Sequence, residues 1–557
     1  MKAILFIISL VALVTGACRK PTDDVASNPG QSDSDTLSGA RLATLVRREG
    51  RGLVVNGQPI QLNGVAFGNW VWDNSPVPPT LHHNEQDFAR LQQSGLNCVR
   101  FYLNYRYFEE DSQPYVYKQT GWDWLNQNIA WAKKYGVYLI LNMHVPQGGY
   151  QSQGKGGALW DVVENQNRLT RLWREIARRY RTEPAIAGFD LVNEPVTTQS
   201  IDQWKNLAQR LTTAIREVDK GHLVVVERLN AVAGNWKDYN GEHNLFLVND
   251  ANVMYQFHTY DPFEFTHQTF SWAGRSPTDF ERYPDETKLS VPGDATWYSA
   301  VFSNPALPAG TSGWTYYEGV KFTANDPKMK LGQAVCQASA LGAGKAYFDE
   351  LVVREYAPDG SLARTVLTAD MSSNNGWYFW SKANTGTATT IDAGQTGKAL
   401  QITQTTDDAN NGNGSQPFLI RPGYSYQISG WMKGEGIPAT ATVRLRIDFQ
   451  TTQQPILARN KEYLRQSLAF YADWGRKNNV PIYLGEYGAG APCFNDGRGG
   501  LAWTADMIDL NREFGFHTTY HAYHEDSFGW YFGYNSLPDP ANANTALIDL
   551  FRQKFGK

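Results

Sequence analysis

Cysteine is scarce in this chain: four in 557 residues, at 18, 98, 336 and 493, with no CxxC spacing. Neither a disulfide framework nor a zinc site is indicated. An excess of one charge is also missing, since 51 basic residues face 55 acidic ones for a net charge of −4. That balance offers no broad attraction for nucleic acid or an anionic membrane. No phosphate loop and no Gly-rich dinucleotide turn follows the first strand-like run "IQLNGVAFG", which removes phosphoryl and hydride transfer. The histidines lack the i,i+4 spacing of a zinc helix, so no metal and no cofactor is expected; His144, His258 and His524 are the set a metallohydrolase would use. What is abundant is aromatic: 13% of residues, with 18 Trp and 29 Tyr. Flat faces in that number suit a neutral partner, of which sugar rings are one kind.

The first 18 residues, "MKAILFIISLVALVTGAC", have one Lys, a short apolar run and small residues before Cys18, the order of a secretory signal. The ending resembles a lipoprotein cleavage site, with Cys18 as the lipidated residue. The expectation is an exported outer-membrane or cell-surface lipoprotein that touches the membrane only through that anchor. Ordinary signal cleavage, giving a periplasmic or secreted protein, is the alternative. Residues 19–40 are polar and rich in Ser, Asp, Pro and Gly, and read as a tether that cannot bury enough surface to order itself.

From 41 to 282 apolar runs alternate with amphipathic stretches: "LNCVRFYLN", "VYLILNMHV", "IAGFDLVNEPV", "LVVVERLN" and "VMYQFHTYDP" follow the first run. Two more, "VPIYLGEYGAG" and "FHTTYHAYHED", lie within 456–557, and eight βα units predict a closed (β/α)8 TIM barrel, an α/β fold. Between the two parts, at 283–455, helical periodicity stops and Thr, Ser, Gly and alternating apolar residues take over. This predicts a β-sandwich inserted after the sixth strand.

Polar residues recur at the strand ends: Arg100, His144, Asn193, Glu194, His258, Tyr260 and Glu486. Any one of these has a structural explanation; five strands doing so together point to one functional rim. Two glutamates on separate strands suit glycoside hydrolysis, in which an acid protonates the leaving oxygen and a second carboxylate attacks or activates water.

These residues in this order, "NCVR", "LILNMH", "NEP", "HTY" and "LGEYG", resemble glycoside hydrolase family 5, the cellulase-type family of retaining barrel glycosidases, over about residues 52–282 and 456–556. The resemblance implies Glu194 as acid/base, Glu486 as nucleophile, Asn193 on the sugar 2-hydroxyl, Arg100 and Tyr260 beside Glu486, and His144 and His258 in the subsite lining. It also implies a tryptophan at the end of the eighth strand, where this chain reads "TTYHAYHED"; Tyr523 or His524 is expected in that place. Trp70 and Trp72, in the loop after the first strand, are cleft candidates, as are Phe263, Phe265, His267 and Trp272 in "YDPFEFTHQTFSW". The insert resembles carbohydrate-binding β-sandwiches, with Trp377, Trp380 and Trp431 as sugar platforms or core. The resulting expectation is a monomeric retaining endo-β-1,4-glucanase acting on a polysaccharide. Mannan, xyloglucan or mixed-linkage β-glucan are alternative substrates, and a catalytically weak glycan-binding lipoprotein is the rival.

Overall fold

The computed structural model describes residues 45–235, 244–290, 295–299, 303–381, 385–407 and 409–556. Cys18, the signal-like segment and the tether lie outside the described residues.

Eight parallel strands close into a barrel: β1 (Asn63–Phe67), β2 (Cys98–Asn104), β3 (Tyr138–Val145), β4 (Ile186–Asp190), β5 (Leu223–Glu227), β6 (Val253–His258), β7 (Ile482–Tyr487) and β8 (His517–Tyr520). Each pairs with its neighbour in sequence order, and β8 returns to β1. The strands are buried almost throughout, which is why they read as apolar runs rather than as alternating ones.

The flanking helices bury their apolar stripes on the outside of the barrel. Their ends follow local chemistry. Asn84 and Asp87 form a capping box at the start of Glu85–Gln93, and Gly136, in the left-handed region at φ 65°, closes Gln119–Tyr135. A three-stranded antiparallel sheet built from 47–60 packs its apolar side chains at the end of the barrel opposite the strand C-termini.

The chain leaves the barrel after β6 through a two-stranded ribbon, Asp285–Leu289 against Ala458–Arg459, and re-enters through the same ribbon. Between its arms are two antiparallel sheets. One orders Thr296–Ser299, Thr442–Thr451, Met329–Ser339, Gly412–Gly414 and Tyr378–Trp380; the other orders Gly310–Glu318, Ser425–Ile437, Lys345–Tyr356, Ala399–Gln404 and Gly386–Ile391. A separate apolar core that includes Phe348, Leu351, Leu400, Ile428 and Phe449 lies between them, a β-sandwich.

Candidate active site

Arg100 on β2 organises the floor of the rim. It is wholly buried; its Nε donates to Asp190 Oδ2 at 2.8 Å, Nη1 to Glu486 Oε1 at 2.5 Å and Nη2 to Asn193 Oδ1 at 2.9 Å. The two-residue period of a strand puts Tyr102 on the same face, and its hydroxyl donates to Glu486 Oε1 at 2.6 Å. From beyond β6, Tyr260 donates to Glu486 Oε2 at 2.7 Å. The register of β6 against β7 shifts between Phe257 and His258, bringing His258 opposite Glu486. Burial pushes the Glu486 carboxyl up, but the positive potential of His258, His521 and Arg100 outweighs it and holds the group well below the usual carboxylate range.

Glu194 follows β4 on an irregular stretch and adopts φ 42°, the left-handed region. Its Oε1 pairs with His258 Nδ1 at 2.9 Å, and its backbone N–H donates to Glu227 Oε2 at 2.8 Å. One oxygen of Glu194, one of Glu486 and a ring nitrogen of His258 all lie within 4.8 Å of one another. Among the described residues this is the one group of three or more His, Cys, Asp or Glu near enough to share a cation, so His144, His258 and His524 do not form one.

Above these carboxyls opens a cleft of about 890 Å³ whose walls include Trp70, Trp72, His144, Tyr150, Tyr260, Phe263, Trp272, His521 and Phe528. His144 stacks on Tyr102 at 3.9 Å between ring centres; burial dominates its surroundings and keeps it neutral, well below the usual imidazole range. Trp72 is 39% exposed and Trp272 57%, both offering open faces. Arg100, Asn193 and His258 are buried behind the cleft wall and act on the groups that reach it. Phe265 turns away and packs on Tyr283.

Two expectations need correction. Tyr523 and His524 do not reach the cleft: Tyr523 donates to Asp87, and His524 Nδ1 pairs with the carbonyl of His82, both fully buried. The residue in the place expected for them is His521, the first after β8, whose Nδ1 sits 3.1 Å from the Tyr102 hydroxyl and whose Nε2 is 3.5 Å from Glu525. Sequence reasoning also passed over Tyr102, which the alternation from Arg100 would have found, and Glu227. That glutamate ends the apolar run "LVVVE", the same signal that marks Glu194.

An eight-stranded parallel barrel with two such carboxyls at one rim has the pair of groups that glycoside hydrolysis requires. Residues 53–301 match the family model for cellulase, glycosyl hydrolase family 5. Endoglucanase C of Acetivibrio thermocellus is 31% identical over 214 residues, 38% of this chain and 60% of the relative. Cellodextrinase A of Ruminococcus flavefaciens is 24% identical over 263 residues, 46% of this chain and 74% of that protein. The solved structure of endoglucanase Cel5A from Thermotoga maritima aligns with 88% of this chain and 96% of its own at 15% identity and a TM-score of 0.48. This chain thus spans about three-fifths of the length of the endoglucanase C relative.

Proposed function

We propose that the protein is a retaining endo-β-1,4-glucanase working by double displacement without a cofactor. The observation that carries this reading is the closeness of the two carboxyls, one oxygen of each within 4.8 Å of the other. Retention needs carboxyl groups about 5–5.5 Å apart, whereas inversion leaves about 6.5–9.5 Å for a water. Glu486, ionised and oriented by Arg100, Tyr102 and Tyr260, attacks the anomeric carbon. Glu194 gives its proton to the departing oxygen, then takes one from the water that opens the glycosyl ester. The aromatic cleft walls hold successive sugar rings. A glucan is favoured because endoglucanases are among the relatives. The eighth-strand position held by His521 leaves mannan, xyloglucan and mixed-linkage glucan to be compared directly.

The test is hydrolysis of carboxymethyl cellulose, mixed-linkage glucan, xyloglucan and galactomannan by wild type and Glu194→Gln, with the anomer of the first product read by NMR. Loss of cleavage in the variant and an initial β-anomer support the reading. An initial α-anomer overturns retention, and full activity in the variant removes Glu194.

The insert we read as a glycan-binding module. On the outer face of its first sheet, Gly412 and Gly414 form a strip covered by the Trp380 indole and the Gln333 amide, with Tyr378 and Gln337 beside it in the register. Trp297, 57% exposed, and Tyr378, 68% exposed, stand at the opposite edges, and oxygens of Gln337, Asp448 and Gln450 have no hydrogen-bond partner. Trp431 lies on the other sheet beside Tyr316, and Trp377 packs on the sandwich core. Trp297→Ala and Tyr378→Ala are expected to weaken retention on an insoluble glucan and leave cleavage of short soluble substrates unchanged. Export and tethering of a monomer through Cys18 complete the proposal, on the sequence alone; radiolabelled palmitate incorporation that disappears in Cys18→Ala tests it.

A further inference from the structure

A third carboxyl, Glu227 at the end of β5, sits beside the proposed pair and takes no part in the double displacement. Its Oε2 accepts the backbone N–H of Glu194 at 2.8 Å and Gln256 Nε2 at 3.0 Å; its Oε1 is buried with no hydrogen-bond partner and lies 3.4 Å from His258 Nδ1. The same His258 nitrogen pairs with Glu194 Oε1 at 2.9 Å, so one ring N–H stands between two carboxyls. Gln256 lies opposite Glu227 in the register of β5 and β6, and its Nε2 also reaches His258 Nε2 at 3.0 Å, which orients the ring from behind. The Glu194 peptide that Glu227 holds is in the left-handed region, disfavoured for a non-glycine residue and kept only where its surroundings fix it.

We infer that Glu227 is a positioning residue for the acid/base: it fixes the Glu194 backbone and, through His258, takes up the charge change when Glu194 gives up and regains its proton. This rests on the assignment of Glu194 above.

The charges around it fit that role. Arg100 is the guanidinium in ion-pair contact with these carboxyls, its Nη2 4.0 Å from Glu227 Oε2, and it also serves Asp190 and Glu486, while the buried Arg228 donates to the His258 carbonyl. One guanidinium cannot neutralise four carboxyls in a buried space, so protons must reside on some of them. Burial first, then the nearby charge of Glu194 and Asp190, against the opposing pull of His258 and Arg100, pushes Glu227 up to about 8. It carries a proton through the neutral range, while Glu486 stays ionised. Burial also opposes charge on His258, but the carboxyls around it outweigh burial and raise the imidazole. Glu194, His258 and Glu227 thus form a chain along which a proton shifts by short steps, with His258 Nδ1 also 3.7 Å from Glu486 Oε2.

The test compares kcat/KM for two soluble cello-oligosaccharide glycosides, one with a dinitrophenyl leaving group that departs without a proton and one with an unactivated sugar. Glu227→Ala is expected to lose about 10- to 100-fold on the unactivated substrate, with KM within about twofold, and far less on the dinitrophenyl one. Glu227→Gln keeps an acceptor for the Glu194 N–H and is expected to recover most of the rate at neutral pH, but to lose the alkaline inflection of the wild-type pH profile. Equal losses on both substrates, or an unchanged pH profile in Glu227→Gln, overturn the inference. Glu194→Gln is run alongside. If it too fails to discriminate between leaving groups, the assignment of Glu194 falls; if it discriminates and Glu227→Ala does not, the role of Glu227 alone falls.

Discussion

The two sides of the cleft floor handle negative charge in opposite ways. On the β7 side, Glu486 accepts from Arg100, Tyr102 and Tyr260, and ionisation is favoured despite burial. On the β4–β5 side, Glu194 meets one imidazole shared with Glu227, and Glu227 holds a proton. A carboxyl surrounded by donors makes a nucleophile; one backed by a group that can share a proton makes an acid that can become a base. The difference arises from the donors each carboxyl meets: Arg100 and two tyrosine hydroxyls at Glu486, one shared imidazole at Glu194.

The comparison can be broken most severely at Glu486. Glu486→Gly is expected to lower kcat by about 10⁴-fold or more with an unchanged far-UV CD spectrum, and substantial residual turnover would mean that the donors on that side serve another purpose. Arg100→Met comes next. It leaves Asp190 and Glu486 buried without their cation, so a destabilisation of about 3–5 kcal/mol is expected in urea titration. Tyr260→Phe removes one donor from an ionised acceptor, about 1.5–3 kcal/mol. It is expected to cut kcat/KM and, because the lost bond favours the carboxylate, to move the acid limb of the pH profile to higher pH. The smallest effect is on stability. Glu227 is raised to about 8 in the folded chain from an ordinary 4.5, so its contribution is full below about 4.5 and is lost as pH rises towards 8. Glu227→Gln is therefore expected to melt with wild type at pH 4 and above it at pH 8 in differential scanning calorimetry; the reverse order would show that Glu227 is buried as an anion.

Much of this floor was legible because barrel chemistry sits where apolar runs end in charge. Arg100, Asn193, Glu194, His258, Tyr260 and Glu486 were read that way, and the structure brings them together as two hydrogen-bonded groups joined where His258 Nδ1 lies 3.7 Å from Glu486 Oε2. Glu227 carried the same signal, but its partners are a backbone N–H, Gln256 and His258, and no sequence spacing reveals a contact between adjacent strands whose register is unknown. The eighth strand was misread for a different reason. Regular pairing ends at Tyr520, so the alternation that would put Tyr523 on the cleft face no longer applies at "HAYHED", and His521 takes the position. The insert announced itself by texture, since Thr-rich alternation cannot continue a helical shell. Which of its tryptophans faces solvent depended on strand register, and Trp297, not singled out from sequence, is the most open of those on the glycine-strip face.

The ribbon at Asp285–Leu289 and Ala458–Arg459 also sets a timetable for the ribosome. β6 ends at His258, while its partner β7 begins at Ile482. At about 5–20 residues per second, six barrel strands wait on the order of ten to forty seconds before the seventh is synthesised. During that interval the edges of β6 and β1 have no partner strand, and an unpaired edge invites pairing with another nascent chain. An insert that folds by itself within the wait brings the two ribbon arms together, so that β7 arrives beside β6 as though only a short turn had been translated between them.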